Sequence, residues 1–307
     1  MASFLARFVR GRTLVIAVPM LFLLGLFLLP FAIVGQISVS DMENTCCKDI
    51  VTVADGVLHI AIKFAGYAFI AEDPLYLRTY VSSLKYAAAT TLLCLAIGYP
   101  FAYFMARAAR AAQPALVMLV MLPFWTSFLL RVYAWRALLS EHGWIEQWVV
   151  ASGLDRVLYA LGLLTTPGQL MYTPFSLVVG MTYSYLPFMI LPLYANLAKM
   201  DLRLLEAAAD LGATPWVAFW RITVPLSKAG IIAGSMLVFI PCVGEYVIPE
   251  LLGGPETLMI GRVIWDEFFA NNDWPLASSV AVVMVLLIIV PLAVFSRYQA
   301  EARERVR

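Results

Sequence analysis

The chain has 307 residues, of which 62% are hydrophobic and only 13% charged, and its mean hydropathy is +0.85. A soluble fold of this size needs about twice that charged fraction to cover its surface, so the chain is better counted in membrane spans than in domains. A net charge of +1 argues against a nucleic-acid partner, which would require a basic face, and the cysteines show neither zinc nor redox spacing, since Cys94 and Cys242 stand in apolar runs and Cys46 and Cys47 are adjacent.

A membrane helix needs about 20 mostly apolar residues. Six stretches qualify, at 14–36, 81–106, 115–138, 174–197, 226–249 and 277–297. Arg7, Arg10 and Arg12 precede the first, as in a signal peptide. That run is too long for a signal's apolar region, so it is expected to stay as the first transmembrane helix. Residues 37–78 form an outer loop that matches no recognisable pattern, residues 79–297 hold the remaining five helices, and 298–307 make a tail. Prolines inside helices two to five (Pro100, Pro123, Pro187, Pro192 and Pro241) suggest kinks beside protein or a cavity, where freed carbonyls find partners. Ordinary proline usage in membrane helices accounts equally well for any single one.

Thirteen of the 21 Lys and Arg residues fall in segments that are cytoplasmic if the N-terminus is inside, among them Arg107, Arg110, Lys199, Arg203, Arg221 and Lys228. The positive-inside rule then places both termini in the cytoplasm. Of the 20 acidic residues, 15 fall outside or within the membrane. Such a face attracts cations, and it equally suits docking of a basic partner protein.

The most informative segment is 198–228, between the fourth and fifth spans. It reads as a short alanine-rich helix over Leu202–Leu211 ended by Gly212, then a second helix capped by Thr214 with Pro215 in its first turn, and Pro225 at the start of the next span. Glu206-Ala207-Ala208, Gly212, Ile222 and Pro225 match the pattern E-A-A-x(3)-G-x(9)-I-x-x-P. This resembles the loop of permease subunits of binding-protein-dependent ABC importers of the type I fold. The segments Pro123–Trp135, Tyr183–Met189, Gly244–Gly254, Met259–Gly261 and Asp273–Pro275 are similar to those of spermidine/putrescine permeases, above all the putrescine-type first permease subunit.

The resemblance implies an all-α integral membrane protein with six transmembrane helices and a cytoplasmic coupling helix, in which Glu206, Ala207, Ala208, Gly212 and Pro225 dock on a separate ATPase. It further implies a polyamine importer of the bacterial inner membrane, working by ATP-driven alternating access. The implied partners are an ATPase dimer, a second permease and a periplasmic polyamine-binding protein. ATP and Mg would be used by the ATPase, with no cofactor on this chain. The same machinery for another small cationic or amino-acid-like solute is the alternative.

Two charges fall inside spans, Arg131 and Glu245. Measured along straight helices they lie about 24 Å in from Ala115 and about 26 Å in from Lys228, and so at similar depth. Glu245 then serves either as counter-ion for an incoming ammonium or as a tie to Arg131. Trp125, Tyr133, Trp135, Tyr183, Tyr185 and Tyr246 can line a path and stack on a protonated amine. An interfacial aromatic belt explains Trp135 and Trp144 as well. The chain holds no phosphate loop and no His-Glu-x-x-His, and its histidines, His59 and His142, fall in outer loops, so a transporter subunit is expected rather than an enzyme. A secondary carrier would need its own ion relay and internal repeats, and neither is evident.

Overall fold

The structure, a computed structural model, describes residues 11–40, 42–43, 46–47, 51–54, 57–60 and 62–304. Its helices are α1 (Gly11–Ser38), α2 (Ala65–Glu72), α3 (Pro74–Arg107), α4 (Gln113–Met121), α5 (Phe128–Leu139), α6 (Trp144–Ala151), α7 (Leu154–Ala160), α8 (Pro174–Leu197), α9 (Arg203–Asp210), α10 (Pro215–Leu226), α11 (Lys228–Val243), α12 (Val247–Leu252), α13 (Ile260–Trp265) and α14 (Trp274–Glu304). The loop after α1 adds what hydropathy does not reveal, two antiparallel hairpins. In them β1 (Met42–Glu43) pairs with β2 (Cys46–Cys47), and β3 (Val51–Ala54) with β4 (Val57–Ile60). The signal for the second was present in Asp55-Gly56 between two runs rich in β-branched residues.

The chain divides into two units, Met1–Pro74 with Ile264–Val285, and Leu75–Val263 with Leu286–Arg307. In the first, none of the apolar stretch of α1 is buried. A helix apolar on every side and bare of protein is one that lipid solvates. The base of α1 is held by hydroxyls: Ser279 Oγ donates to Ser38 O at 2.9 Å and Tyr67 Oη to Ser38 Oγ at 2.8 Å.

The second unit is built around α8. Its start is set by Thr173, whose Oγ1 accepts from Ser176 N at 3.4 Å while Ser176 Oγ accepts from Thr173 N at 3.1 Å, with Pro174 at the first helical position. Leu177, Met181, Met189 and Leu193 are fully buried along it. α11 packs on α8 through Gly230 and Gly234, four residues apart. A Cβ on Gly230 would lie 2.8 Å from Asn196 Cβ, and one on Gly234 3.1 Å from the Met189 carbonyl. Without a hydrophobic drive between helices in lipid, this close approach of small residues supplies the van der Waals contact that holds them together.

The expected span at 174–197 coincides with α8, and 81–106 lies within the longer α3. Two others need correction. The span at 115–138 is not one helix: after α4 the chain tightens into a 3-10 turn at Leu122–Trp125, extends through Thr126 and Ser127, and resumes as α5. The segments Gln113–Trp125 and Phe128–Ala151 meet at 85°. Pro123 lacks the amide that would continue the helix, and the freed Pro123 carbonyl instead accepts from Thr126 Oγ1 at 2.8 Å. The span at 226–249 is likewise shifted, because α11 runs only from Lys228 to Val243 and is preceded by α10 at a 64° bend. Pro225 therefore lies inside α10 rather than opening the span. Among the described residues, three helices are long and apolar enough to cross a membrane, five if each bent pair counts as one span, and the apolar part of α14, Trp274–Ile289, is shorter.

Gly234→Leu is expected to overpack the α8–α11 contact and destabilise the solubilised protein by about 1–3 kcal/mol. Thermal unfolding in detergent checks this, and an unchanged melting temperature contradicts the packing role.

Candidate functional site

The sequence-derived residues separate into two places. The first is α9 and the turn after it. Asp201 Oδ1 accepts from Arg203 N at 3.0 Å as α9 begins, and the helix ends where the motif puts it. Gly212 has φ +82, Gly212 N donates to Ala209 O at 2.8 Å, and Ala213 N to Ala208 O at 2.9 Å. These paired bonds form a Schellman cap, which needs a left-handed residue at Gly212. Nothing lies within 4 Å of the position a Cβ would take there, so the glycine supplies backbone conformation rather than space. Glu206 and Ala207 face outward, Ala208 faces in, and Leu211 is 89% and Trp216 70% exposed. Thr214 Oγ1 accepts from Val217 N at 3.4 Å and caps α10, with Pro215 at its first position. Small outward side chains thus lie beside large exposed apolar ones.

The second place lies where α11 gives way to α12. The helix stops at Val243, and Gly244, Glu245 and Tyr246 turn the chain into α12. Glu245 Oε1 accepts from Val247 N at 3.0 Å and Ile248 N at 3.4 Å, capping α12, while Oε2 accepts from Tyr185 Oη on α8. The far end of α12 is fastened to the same helix, since Ser176 Oγ donates to Leu252 O at 2.7 Å. From α13, Gly261 abuts the turn so closely that a Cβ would sit 2.6 Å from Glu245 O. Glu245 is thus not mid-helix, as straight spans imply, but at a break that its own carboxylate closes.

Arg131 on α5 does not reach it. No ion pair joins Arg131 and Glu245; among the described residues of this region the ion pair formed is Arg262 Nε to Glu250 Oε2, at 2.7 Å. The Arg131 guanidinium instead lies 5.8 Å from the Phe124 ring centre and 5.7 Å from that of Phe128, and its Nε and Nη1 are buried without a hydrogen-bond partner. The depth argument follows straight helices, whereas the structure breaks them at Leu122–Ser127 for one residue and after Val243 for the other. Aromatic rings link the two charges indirectly. Phe124 meets Phe188 edge-on at 5.1 Å, and Phe188 lies 6.1 Å from Tyr185. The array runs from carboxylate through three aromatic rings to guanidinium. Phe188 and Phe124 belong to the motifs quoted above but carry no charge or hydroxyl to single them out.

Tyr183 and Trp125 are placed differently. Tyr183 packs with Trp135 at 5.5 Å and is 38% exposed, whereas Tyr185, about 200° further round the same helix, is 8% exposed. Trp125 ends the 3-10 turn and is 82% exposed. Tyr246 is partly buried as the residue before α12. Among the described residues, no cluster of three or more His, Cys, Asp or Glu is placed to hold a metal.

Residues 94–304 match the family described as binding-protein-dependent transport system inner membrane component. The chain is 39% identical over 225 residues to the spermidine/putrescine transport system permease protein PotB of Escherichia coli (strain K12), covering 73% of this chain and 78% of that protein. It is 40% identical over 228 residues to the protein of the same name from Haemophilus influenzae, covering 74% and 76%. Among solved structures, a bacterial ABC transporter involved in the import of the acidic polysaccharide alginate matches with a TM-score of 0.60 at 16% identity, covering 94% of this chain and 95% of that one. The MetNI methionine ABC transporter matches at 0.51, also at 16% identity, covering 74% and 97%. At these identities the structural likeness establishes the fold alone.

Glu245→Gln keeps an acceptor for the α12 amides and is expected to melt within about 1 kcal/mol of the unmodified protein, whereas Glu245→Leu strands the amides and the Tyr185 hydroxyl and is expected to lose about 1–3 kcal/mol. Thermal unfolding of both variants in detergent decides, and equal stability of the two contradicts the capping role.

Proposed function

We propose that this chain, which belongs to the family of binding-protein-dependent transport system inner membrane components, imports putrescine, spermidine or both as the permease subunit of an ATP-driven transporter. The observation that carries the solute class is the identity of 39% to a spermidine/putrescine permease along 78% of its length. The site suits it chemically. A di- or polyammonium solute needs a carboxylate and aromatic faces along its path, and Glu245 and Phe124, at two helix breaks, supply them together with Tyr185 and Phe188 of α8. Each cation–π contact adds about 0.5–2 kcal/mol.

The full machine in this reading comprises a dimeric ATPase that docks on α9 and uses ATP and Mg, a second permease, and a periplasmic polyamine-binding protein. Both termini lie in the cytoplasm, a placement supported by the basic residues collected in segments such as Arg107–Arg110 and Lys199–Arg221. Alternating access then exposes the Glu245 region first to one side and next to the other.

In proteoliposomes holding the whole complex, ATP turnover is expected to rise with binding protein loaded with putrescine or spermidine. Glu245→Gln is expected to cut uptake by about tenfold, the loss of one charge-assisted contact, with basal ATP hydrolysis little changed. A binding protein that copurifies with sulfate or a sugar contradicts the solute, and one that carries another small cation or an amino-acid-like solute narrows it to the alternative class. Gly212→Val forces a β-branched residue into a left-handed position and is expected to abolish uptake without preventing insertion. Normal ATP-dependent uptake by this variant contradicts the docking role of α9.

A further inference from the structure

The backbone between α9 and the membrane is poorly suited to carrying force by itself. α10 includes a π-helical stretch at Phe219–Thr223 and meets α11 at 64°, with Ser227 (φ −87, ψ 1) at the joint. Ser227 N donates to Thr223 O and Ile231 N to Ser227 O, each at 2.9 Å, so the bent joint keeps some backbone bonds and side chains that brace it supply the rest of the connection between α10 and α11.

One brace is present. Ser227 is 1% exposed, and its Oγ lies 2.9 Å from the hydroxyl of Tyr99 on α3, which is 8% exposed. Ser227 Oγ donates to Val224 O at 3.0 Å, so the hydrogen between the two hydroxyls comes from Tyr99. Tyr103 and Arg107 follow Tyr99 at intervals of four and continue one stripe of α3. Phe219 stands edge-on to both tyrosines, with ring centres at 5.6 and 5.8 Å, and the Arg107 guanidinium lies 5.1 Å over Tyr103. Phe219 in turn stacks on the exposed Trp216 at 6.2 Å. A chain of contacts thus runs from the outer face of α10 through Phe219 into α3 and across to the joint.

We propose that the Tyr99–Ser227 bond, with Phe219 seated against Tyr99 and Tyr103, is the route by which motion of the α9–α10 segment enters the membrane helices. Tyr99, Ser227 and Phe219 are positioning residues that touch neither solute nor ATPase. The proposal rests on the reading of α9 as the ATPase contact. Tyr99→Phe separates coupling from folding, because it removes the link while Ser227 Oγ keeps its bond to Val224 O; Ser227→Ala also frees the Val224 carbonyl, so its effect is read per assembled complex.

The test uses the complete transporter in proteoliposomes, with uptake and ATP hydrolysis measured on the same preparation. Tyr99→Phe, Ser227→Ala and the double variant are expected to assemble and hydrolyse ATP normally, yet to import at least about fivefold less solute per ATP, the low end of a typical coupling between sites. Ser227→Thr keeps the hydroxyl and is expected to retain the normal ratio. An unchanged ratio in the assembled double variant overturns the proposal. So does a fall of uptake and hydrolysis in proportion to lost complex, which marks a packing role alone. Gly212→Val, run beside them, tests the underlying reading separately. Normal import there removes the ATPase contact at α9, whereas lost import there with a normal ratio in the double variant leaves that contact standing and removes the brace.

Discussion

Every break in a membrane helix strands backbone donors and acceptors where water does not reach them, and each such group must find a partner inside the protein. This chain breaks its helices at Leu122–Ser127, at Ser227 and at Gly244–Tyr246. In each case a side chain of the break closes it. Thr126 returns to the Pro123 carbonyl, Ser227 to the Val224 carbonyl, and Glu245 to the amides of Val247 and Ile248. The polar residues at these three breaks are therefore first of all the stitching of the fold, and any function they perform is built on that.

Glu245 shows how the two requirements share one residue. Capping uses one of its oxygens and leaves the other facing Tyr185, a tyrosine set in a line of aromatic rings. Because Ser176 fixes the far end of α12 to α8, the carboxylate is held at a defined place against α8 without needing a positive partner. In the proposed reading a carboxylate held by neutral donors serves an incoming cation better than one tied to arginine, and Arg131 rests on Phe124 and Phe128 rather than pairing with Glu245.

How much of this was legible in the sequence depends on whether the relevant signal was local. Hydropathy over 174–197 found α8 to the residue, and the alanine-rich run before Gly212 found α9 and its cap, because composition and turn chemistry decide both locally. Family resemblance located Glu245 and Tyr185 without revealing that they meet. What failed was any step that took an apolar run for a straight rod. Pro123 and Gly244 lie inside such runs, and the hydropathy of their neighbours hides the turns they permit. The tie between Arg131 and Glu245 rested on that assumption. The Gly230–Gly234 spacing was readable as a close-packing signal and the Asp55-Gly56 dipeptide as a hairpin signal, but neither alters hydropathy.

The central claim, that ammonium groups pass beside Glu245 and the rings next to it, is tested most directly by photolabelling. A diamine of putrescine length bearing a diazirine would be delivered by the binding protein to the reconstituted complex, irradiated, and its adducts mapped by mass spectrometry. The account predicts labelling of the α8 and α11–α12 residues around Tyr185, Phe188 and Glu245, suppressed by excess putrescine. Competable labelling confined to other parts of the chain, or none on this chain at all, would contradict it.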